Sequence, residues 1–204
     1  MSHTLLKEGI ISLGLEADPE KIGKIELLYR SLQRWNQVFN LTKIENETDF
    51  ATKHVLDSLS VHPYLAGNRI LDVGTGAGFP GIPLAIFFPK LNFVLLDSVG
   101  KKIRFVQQML LELDLPNVEA AHIRVEHYAA RAGFDTIVTR AFAEAETGFS
   151  QCHHLLAPGG KFLAMKGRYP DAELDIMDRL PHRIIALSVP GLEAKRHLIE
   201  ITKL

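Results

Sequence analysis

From Arg69 onward, short apolar runs alternate with longer amphipathic segments, and this alternation leaves the chain very few architectures to choose from. The runs Arg69–Val73, Asn92–Asp97, Val118–Ile123, Thr136–Thr139 and Lys161–Met165 read as strands. Gly81–Phe88, Gly100–Leu113 and Glu144–Leu155 read as the helices between them. Regular βαβ alternation predicts a mostly parallel, doubly wound sheet covered by helices. The last part breaks the rule. Arg183–Val189 and Arg196–Thr202 are joined through Pro190-Gly191 with no helix between them, so they read as an antiparallel pair at one edge of the sheet.

Residues 1–66 follow a helical period instead. Asp18-Pro19-Glu20 combines an N-cap, a proline at the first helical position and an early acid. After it, Ile22, Ile25, Leu28, Tyr29, Leu32, Trp35 and Phe39 mark one apolar face. A second helix is expected from about Asp49 to Ser60, ending before Pro63. The expected organisation is one α/β domain over 1–204, with a helical cap (1–66) on the sheet-bearing core (67–204).

Composition narrows the function. Hydrophobic residues make up 47% of the 204 and charged ones 23%, which excludes a disordered chain. The densest apolar run, Ile82 to Phe88, is far short of the ~20 residues of a membrane helix and holds Pro83. Lys7 and Glu8 interrupt the first apolar stretch, so no secretory leader and no membrane partner is expected. A single cysteine, Cys152, excludes an internal disulfide and points to a reducing, cytoplasmic location. With 23 basic against 24 acidic residues the chain is no general polycation, although a local basic cleft remains open to it.

The segment Ile70-Leu71-Asp72-Val73-Gly74-Thr75-Gly76-Ala77-Gly78-Phe79-Pro80-Gly81 leaves the first strand and opens a helix. Glycines there let the backbone turn sharply and approach a ligand, while the helix start offers unpaired N–H groups. The dinucleotide pattern G-x-G-x-x-G fails from Gly74, where Phe79 takes the last glycine's place, and fits from Gly76 only by moving the turn away from the strand. The pattern acid-x-G-x-G-x-G fits Asp72, Gly74, Gly76 and Gly78 without a gap, and resembles the first motif of S-adenosylmethionine-dependent methyltransferases. Asp97, at the end of the second strand, is placed to accept both hydroxyls of a ribose, or else to cap the next helix.

Basic residues fall at three successive strand ends, where ligands of such sheets bind: Arg124, Arg140, and Lys166 with Arg168. Lys195, Arg196 and His197 open the last strand. Such a cleft suits a phosphate-bearing partner. Lys101, Lys102 and Arg104 start a helix where the macrodipole disfavours cations, leaving an RNA surface and a solvated face as equal readings. Other chemistries are disfavoured. Cys152 lies in a helix away from any strand end, so the thiolate nucleophile of pyrimidine C5 methylation is missing, and Cys152-His153-His154 has no metal-ligand spacing; no metal is expected. The Asp/Asn-Pro-Pro-aromatic motif of exocyclic amine methylation is replaced by Val138-Thr139-Arg140-Ala141-Phe142. Ring-nitrogen methylation remains: guanine N7 attacks with an in-plane lone pair and needs no general base, so the protein's contribution reduces to alignment and desolvation.

These residues, together with Trp35-Asn36, Asn40-Leu41-Thr42, His54, Asp57-Ser58-Leu59, Gly78-Phe79-Pro80-Gly81-Ile82-Pro83, Leu96-Asp97-Ser98, Arg124-Val125-Glu126, Thr139-Arg140-Ala141, Met165-Lys166-Gly167 and Arg196-His197, make the chain similar to the bacterial 16S rRNA guanine-N7 methyltransferases, also called glucose-inhibited division protein B. The likeness covers nearly the whole chain. It implies a Rossmann-like methyltransferase fold, S-adenosylmethionine as co-substrate, and 16S rRNA or the small ribosomal subunit as partner, with guanine 527 the family target and no DNA. It further implies donor contacts from Asp72, Gly74, Gly76, Gly78, Phe79, Asp97, Val125, Glu126 and Arg140. Arg140 and Lys166 would position the reacting base, and Arg124, Lys166 and Arg196 would contact RNA. His54 and Asp57 share a helix face and would either join the site or dock the cap. The rivals to this reading are an NAD-linked oxidoreductase, for which no Tyr-Lys pair is recognisable around Tyr64, Tyr128 or Tyr169, and a noncatalytic RNA- or nucleotide-binding module.

Overall fold

The computed structural model describes residues 3–43, 46–140, 144–167 and 181–204. Two helices come first, α1 (His3–Ser12) and α2 (Pro19–Phe39). As expected, Asp18 caps α2: its Oδ1 accepts from the N–H groups of Glu20 (2.7 Å) and Lys21 (3.3 Å), and Pro19 opens the first turn. Removing that cap would cost about 1 kcal/mol. The helix ends at Asn40, whose φ of 48° stops the right-handed turn. Asn36 then ties down the following loop, donating to the Thr42 carbonyl and accepting from the Thr42 N–H at 2.9 and 2.8 Å.

The second expected helix is present but is not uniform. A short α3 (Glu47–Asp49), capped by Asn46, runs into a wide π-helical segment, Phe50–Leu56, and then into α4 (Asp57–Leu59). Such widened turns cluster at functional sites.

The core follows: β1 (Arg69–Val73), α5 (Gly81–Phe87), β2 (Asn92–Asp97), α6 (Gly100–Glu112), β3 (Val118–His122), β4 (Phe134–Arg140), α7 (Ala145–Cys152), β5 (Leu156–Lys166), β6 (His182–Leu187) and β7 (Arg196–Thr202). They form one seven-stranded sheet in the order β3-β2-β1-β4-β5-β7-β6. The pairs among β1 to β5 are parallel, whereas β7 runs antiparallel to both β5 and β6. The antiparallel C-terminal edge is therefore as read from the sequence. Strand β5 starts earlier than expected, because Leu156 pairs with Phe134 before the register shifts, and Gly159 and Gly160 exchange backbone hydrogen bonds with Lys203. The shift follows from Gly159, whose φ of 73° breaks the regular pleat.

The N-terminal helices are fastened to the core. Lys101 Nζ donates to the Phe39 carbonyl at 2.7 Å, closing the C-terminal end of α2 where a cation is favoured. This gives Lys101, one of the three cations that open α6, a structural use. Trp35 meets Phe105 edge-on at 5.6 Å, and Ser31 Oγ donates to Glu112. A single apolar cluster runs from Leu6, Ile25 and Leu32 through Phe50 and Leu56 to Phe79, Ile82 and Phe105. No helix among the described residues is long and apolar enough to cross a membrane.

Candidate functional site

Strand order reverses between β1 and its two neighbours β2 and β4, which opens a crevice beyond the carboxyl ends of these strands. The glycine loop fills the start of that crevice. Gly74, Gly76 and Gly78 all have positive φ (69°, 63° and 88°), which makes the tight path from β1 to α5 accessible without steric cost. The loop is pinned from β2. Gly74 N–H and Thr75 N–H donate to the Leu96 carbonyl at 2.8 and 3.1 Å, and Gly76 N–H donates to Asp97 Oδ2 at 2.9 Å.

Asp72 is completely buried and works inside the loop. Its Oδ2 accepts from Thr75 Oγ (2.6 Å) and from Gly81 N–H (2.8 Å), so one oxygen ties together both ends of the turn. Burial outweighs these bonds and pushes its carboxyl up to about 7.

Two cavities lie at the ends of the strands. The first, about 440 Å³, is bordered by Gly74, Asp97, Val125, Glu126, Arg124 and Lys102, with Leu96, Val99 and Ile123 supplying apolar wall. Asp97 does not cap α6, whose N-cap position is taken by Val99; instead its Oδ1 accepts from Val99 N–H at 2.8 Å just before the helix, and the same carboxylate borders the cavity. Lys102 Nζ stands 3.6 Å from Asp97 Oδ2. Among the expected donor residues, Gly74, Asp97, Val125 and Glu126 thus meet at one cavity. Asp72, Gly76, Gly78 and Phe79 do not border it; they form the framework that shapes it.

The second cavity, about 470 Å³, lies beyond the ends of β4, β5 and β7 and is bordered by Arg140, Lys166, Arg196, His54, Asp57 and Lys53, with Met165 and Leu187 as apolar wall. Asp57 Oδ2 accepts from Arg140 NH1 at 3.2 Å and its Oδ1 from Arg196 Nε at 3.0 Å, so one nearly buried carboxylate holds two guanidiniums. Arg140 also donates to the Lys53 carbonyl (2.8 Å) and to His54 Nδ1 (3.0 Å). The His54 ring stacks on Phe79 at 4.3 Å and 8°, and the Arg140 guanidinium lies 5.5 Å from the same Phe79 ring. Burial, reinforced by the charge of Arg140, pushes the imidazole down to about 3. It is therefore neutral at physiological pH, with Nδ1 accepting and the Nε2 proton directed at Thr42 Oγ, 3.0 Å away.

The single basic crevice expected from strand ends is thus two. Arg124 belongs to the first cavity, whereas Arg140, Lys166 and Arg196 share the second; Arg140 borders the second alone. Arg168, Ala141, Phe142 and Tyr169 lie outside the described residues. Cys152 is fully buried, and burial followed by the charge of Glu126 pushes its thiol up to about 12, which makes it a poor nucleophile. Among the described residues no group of metal-ligating side chains comes together. The sequence reading gave no role to Lys53 or Leu187. Leu187 carried no signal, because its place is set by the β6–β7 pairing of Leu187 with Arg196.

Comparison with known proteins agrees with this architecture. Among solved structures, a SAM-dependent methyltransferase from Aquifex aeolicus superposes with a TM-score of 0.60 over 81% of this chain and 97% of its own, at 16% identity. The N-methyltransferase NodS from Bradyrhizobium japonicum, in complex with S-adenosyl-L-homocysteine, gives 0.56 over 86% and 98%, also at 16%. At these identities the likeness establishes the methyltransferase fold. Closer in sequence, the ribosomal RNA small subunit methyltransferase G of Nitrosococcus oceani is 47% identical over 98% of this chain and 95% of its own. That of Shewanella amazonensis is 43% identical over 97% of each chain. The profile of the GidB family, described as rRNA small subunit methyltransferase G, matches residues 21–199. The chain belongs to the GidB family of rRNA small subunit methyltransferases.

Proposed function

We propose that this protein methylates N7 of a guanine in 16S rRNA, guanine 527 by its family's target, with S-adenosylmethionine as donor. The carrying observation is the pair of cavities beyond the strand ends, one bordered by the glycine loop and suited to a nucleoside, the other lined by four cations, Lys53, Arg140, Lys166 and Arg196. The first cavity fits the donor's chemistry. It offers carboxylates (Asp97, Glu126), cations (Lys102, Arg124) and apolar wall (Val99, Ile123, Val125) to a ligand that combines an amino-acid zwitterion, a ribose and an adenine. S-adenosylmethionine supplies an electrophilic methyl group on a sulfonium sulfur.

The residues of this chain then have separable tasks. Asp97 accepts ribose hydroxyls while its bonds to Gly76 and Val99 keep it from turning away. Val125 and Glu126 border the adenine. Asp72 keeps the loop in its tight path by holding Thr75 and Gly81. Arg140 and Lys166 orient the guanine, and Arg196 and Arg124 meet phosphates by charge-assisted hydrogen bonds. No general base is needed for an N7 lone pair. In keeping with this, the imidazole at the second cavity already accepts a hydrogen bond from Arg140 and stays neutral. The protein's contribution is alignment and exclusion of water. Residues 1–204 act as one domain, since one apolar cluster runs unbroken from the helical cap (1–66) into the core (67–204), while a second cluster around Val73, Phe134 and Phe162 belongs to the core alone. Its place of action is the cytoplasm, where the small subunit is.

Calorimetry with S-adenosylmethionine and with NADH, followed by transfer of labelled methyl to small-subunit RNA, tests the proposal. Binding of the first ligand alone and label in the RNA are expected. Donor binding with no label transferred to free RNA or to the particle would overturn it.

A further inference from the structure

The site that faces the RNA is completed by the helical cap. Arg140 leaves the end of β4, yet among the described residues the hydrogen bonds of its guanidinium all end on a single stretch of the cap: the Lys53 carbonyl, His54 Nδ1 and Asp57 Oδ2. These bonds commit three of the five N–H groups of the guanidinium. Arg196, from β7, gives its Nε–H to the other oxygen of the same carboxylate and one further N–H to the Lys195 carbonyl. Among the described residues the remaining N–H groups of both arginines meet no acceptor, and they stand at the cavity that the two side chains border.

A long cationic side chain at an open cavity ordinarily samples many rotamers, and fixing it on binding costs entropy. Here that cost is met before the ligand arrives. The His54 ring, only 7% exposed, is wedged between Phe79 of the glycine loop and Arg140, so the donor loop and the cation are set against one another through one imidazole. Asp57, 3% exposed, lies between two positive charges that would otherwise repel, and leaves the cluster cationic. The widened turn Phe50–Leu56 carries Lys53 and His54, and Asp57 follows it directly.

We propose that His54 and Asp57 are positioning residues of the methyl-transfer site: together they hold the Arg140 and Arg196 guanidiniums in the geometry that receives the target nucleotide. The inference rests on the function proposed above and adds to it that the cap acts on catalysis through these two side chains, beyond docking on the core. His54 acts through Arg140 and takes no proton from the substrate, since its accepting nitrogen is already occupied.

Three variants separate positioning from folding. His54→Phe keeps an aromatic ring on Phe79 and deletes the acceptor. His54→Asn returns an acceptor oxygen close to the place of Nδ1. Asp57→Asn keeps the shape and removes the charge between the arginines. Methyl-transfer rates are measured at limiting and at saturating small-subunit RNA, with donor affinity by calorimetry. His54→Phe and Asp57→Asn are expected to lower the saturating rate by roughly tenfold or more with donor affinity nearly unchanged, and His54→Asn to restore most of the loss. A His54→Phe rate within about twofold of the parent would overturn the proposal, as would donor affinity and thermal midpoint falling in step with the rate while His54→Asn fails to rescue. If the parent transfers no methyl to RNA, the functional reading fails by itself, and the positioning is read from the Arg140 guanidinium by NMR. Hindered rotation in the parent that is lost in His54→Phe would support it. Equal rotation in both would overturn it.

Discussion

Asp97 Oδ2 accepts the Gly76 N–H at 2.9 Å, so the carboxylate that ends β2 holds the loop that leaves β1. The first cavity and the loop that shapes it therefore share one group, and a change at that group acts on both.

Asp97→Ala is expected to weaken S-adenosylmethionine binding by more than the ribose contact alone, because the Gly76 and Val99 N–H groups also lose their acceptor. Each lost bond is worth about 1–3 kcal/mol where the partner stays buried. Calorimetry checks the affinity and thermal unfolding the stability. A loss of stability with unchanged donor affinity would restrict Asp97 to bracing.

The loop glycines differ in what a side chain would meet. A Cβ at Gly76 finds nothing nearer than the Gly74 carbonyl oxygen at 4.0 Å, so Gly76→Ala carries mainly the backbone penalty of its positive φ, about 1–2 kcal/mol. A Cβ at Gly78 would stand 2.3 Å from Ile82 Cδ1, which is fully buried and has little room to move. Gly78→Ala is expected to carry a similar penalty plus an overpacking cost of roughly 1–3 kcal/mol. Denaturant midpoints of the two variants should fall in that order; the reverse order would contradict the loop geometry.

Asp72 makes stability depend on pH in a definite direction. Its folded pKa is raised from the ordinary carboxylate value to about 7, so between these values the folded chain holds a proton that the unfolded chain has lost. The resulting stabilisation is complete below about pH 4 and gone once the pH has risen through about 7. Asp72→Asn keeps an oxygen for Thr75 and Gly81 and has no charge to bury. The stability of the parent relative to Asp72→Asn should therefore decline from pH 4 to pH 7 by at most ~1.4 kcal/mol per pH unit, then level off. A difference independent of pH would refute the assignment.

Arg196 and Arg124 border different cavities, and their alanine variants should behave differently. Arg196→Ala is expected to weaken RNA binding and flatten its salt dependence by about one unit of slope, with donor affinity intact. Arg124→Ala is expected to weaken donor binding as well. Filter binding over a salt series, paired with calorimetry, distinguishes the two; identical behaviour would return both arginines to one crevice.

Much of this could be read from the amino acids. The alternation after Arg69 fixed five parallel strands and their helices, since burial on both faces leaves short apolar runs little other use. The Asp18-Pro19 start and the antiparallel pair around Pro190-Gly191 were legible because caps and turns are local. The division into two cavities was not. Arg124 and Arg140 both follow strands, but β3 and β4 lie on opposite sides of β1, and that separation exists only in the strand order. The role of Asp57 was hidden for a similar reason. Its partners, Arg140 and Arg196, are 83 and 139 residues away, and only the folded sheet brings the ends of β4 and β7 beneath the cap. Asp72 shows the same limit from the other side: the motif marked it as a donor residue, whereas packing turned its carboxylate into the loop.

The central claim is that the second cavity presents a guanine N7 to the methyl group held in the first. The most direct test is borohydride–aniline cleavage of small-subunit RNA after reaction with the protein and labelled S-adenosylmethionine, since only a ring methylated at N7 opens to strand scission. The account predicts one enzyme-dependent cut, at a single guanine, in proportion to the label incorporated. Label in the RNA without a corresponding cut would place the methyl group on another atom and contradict it.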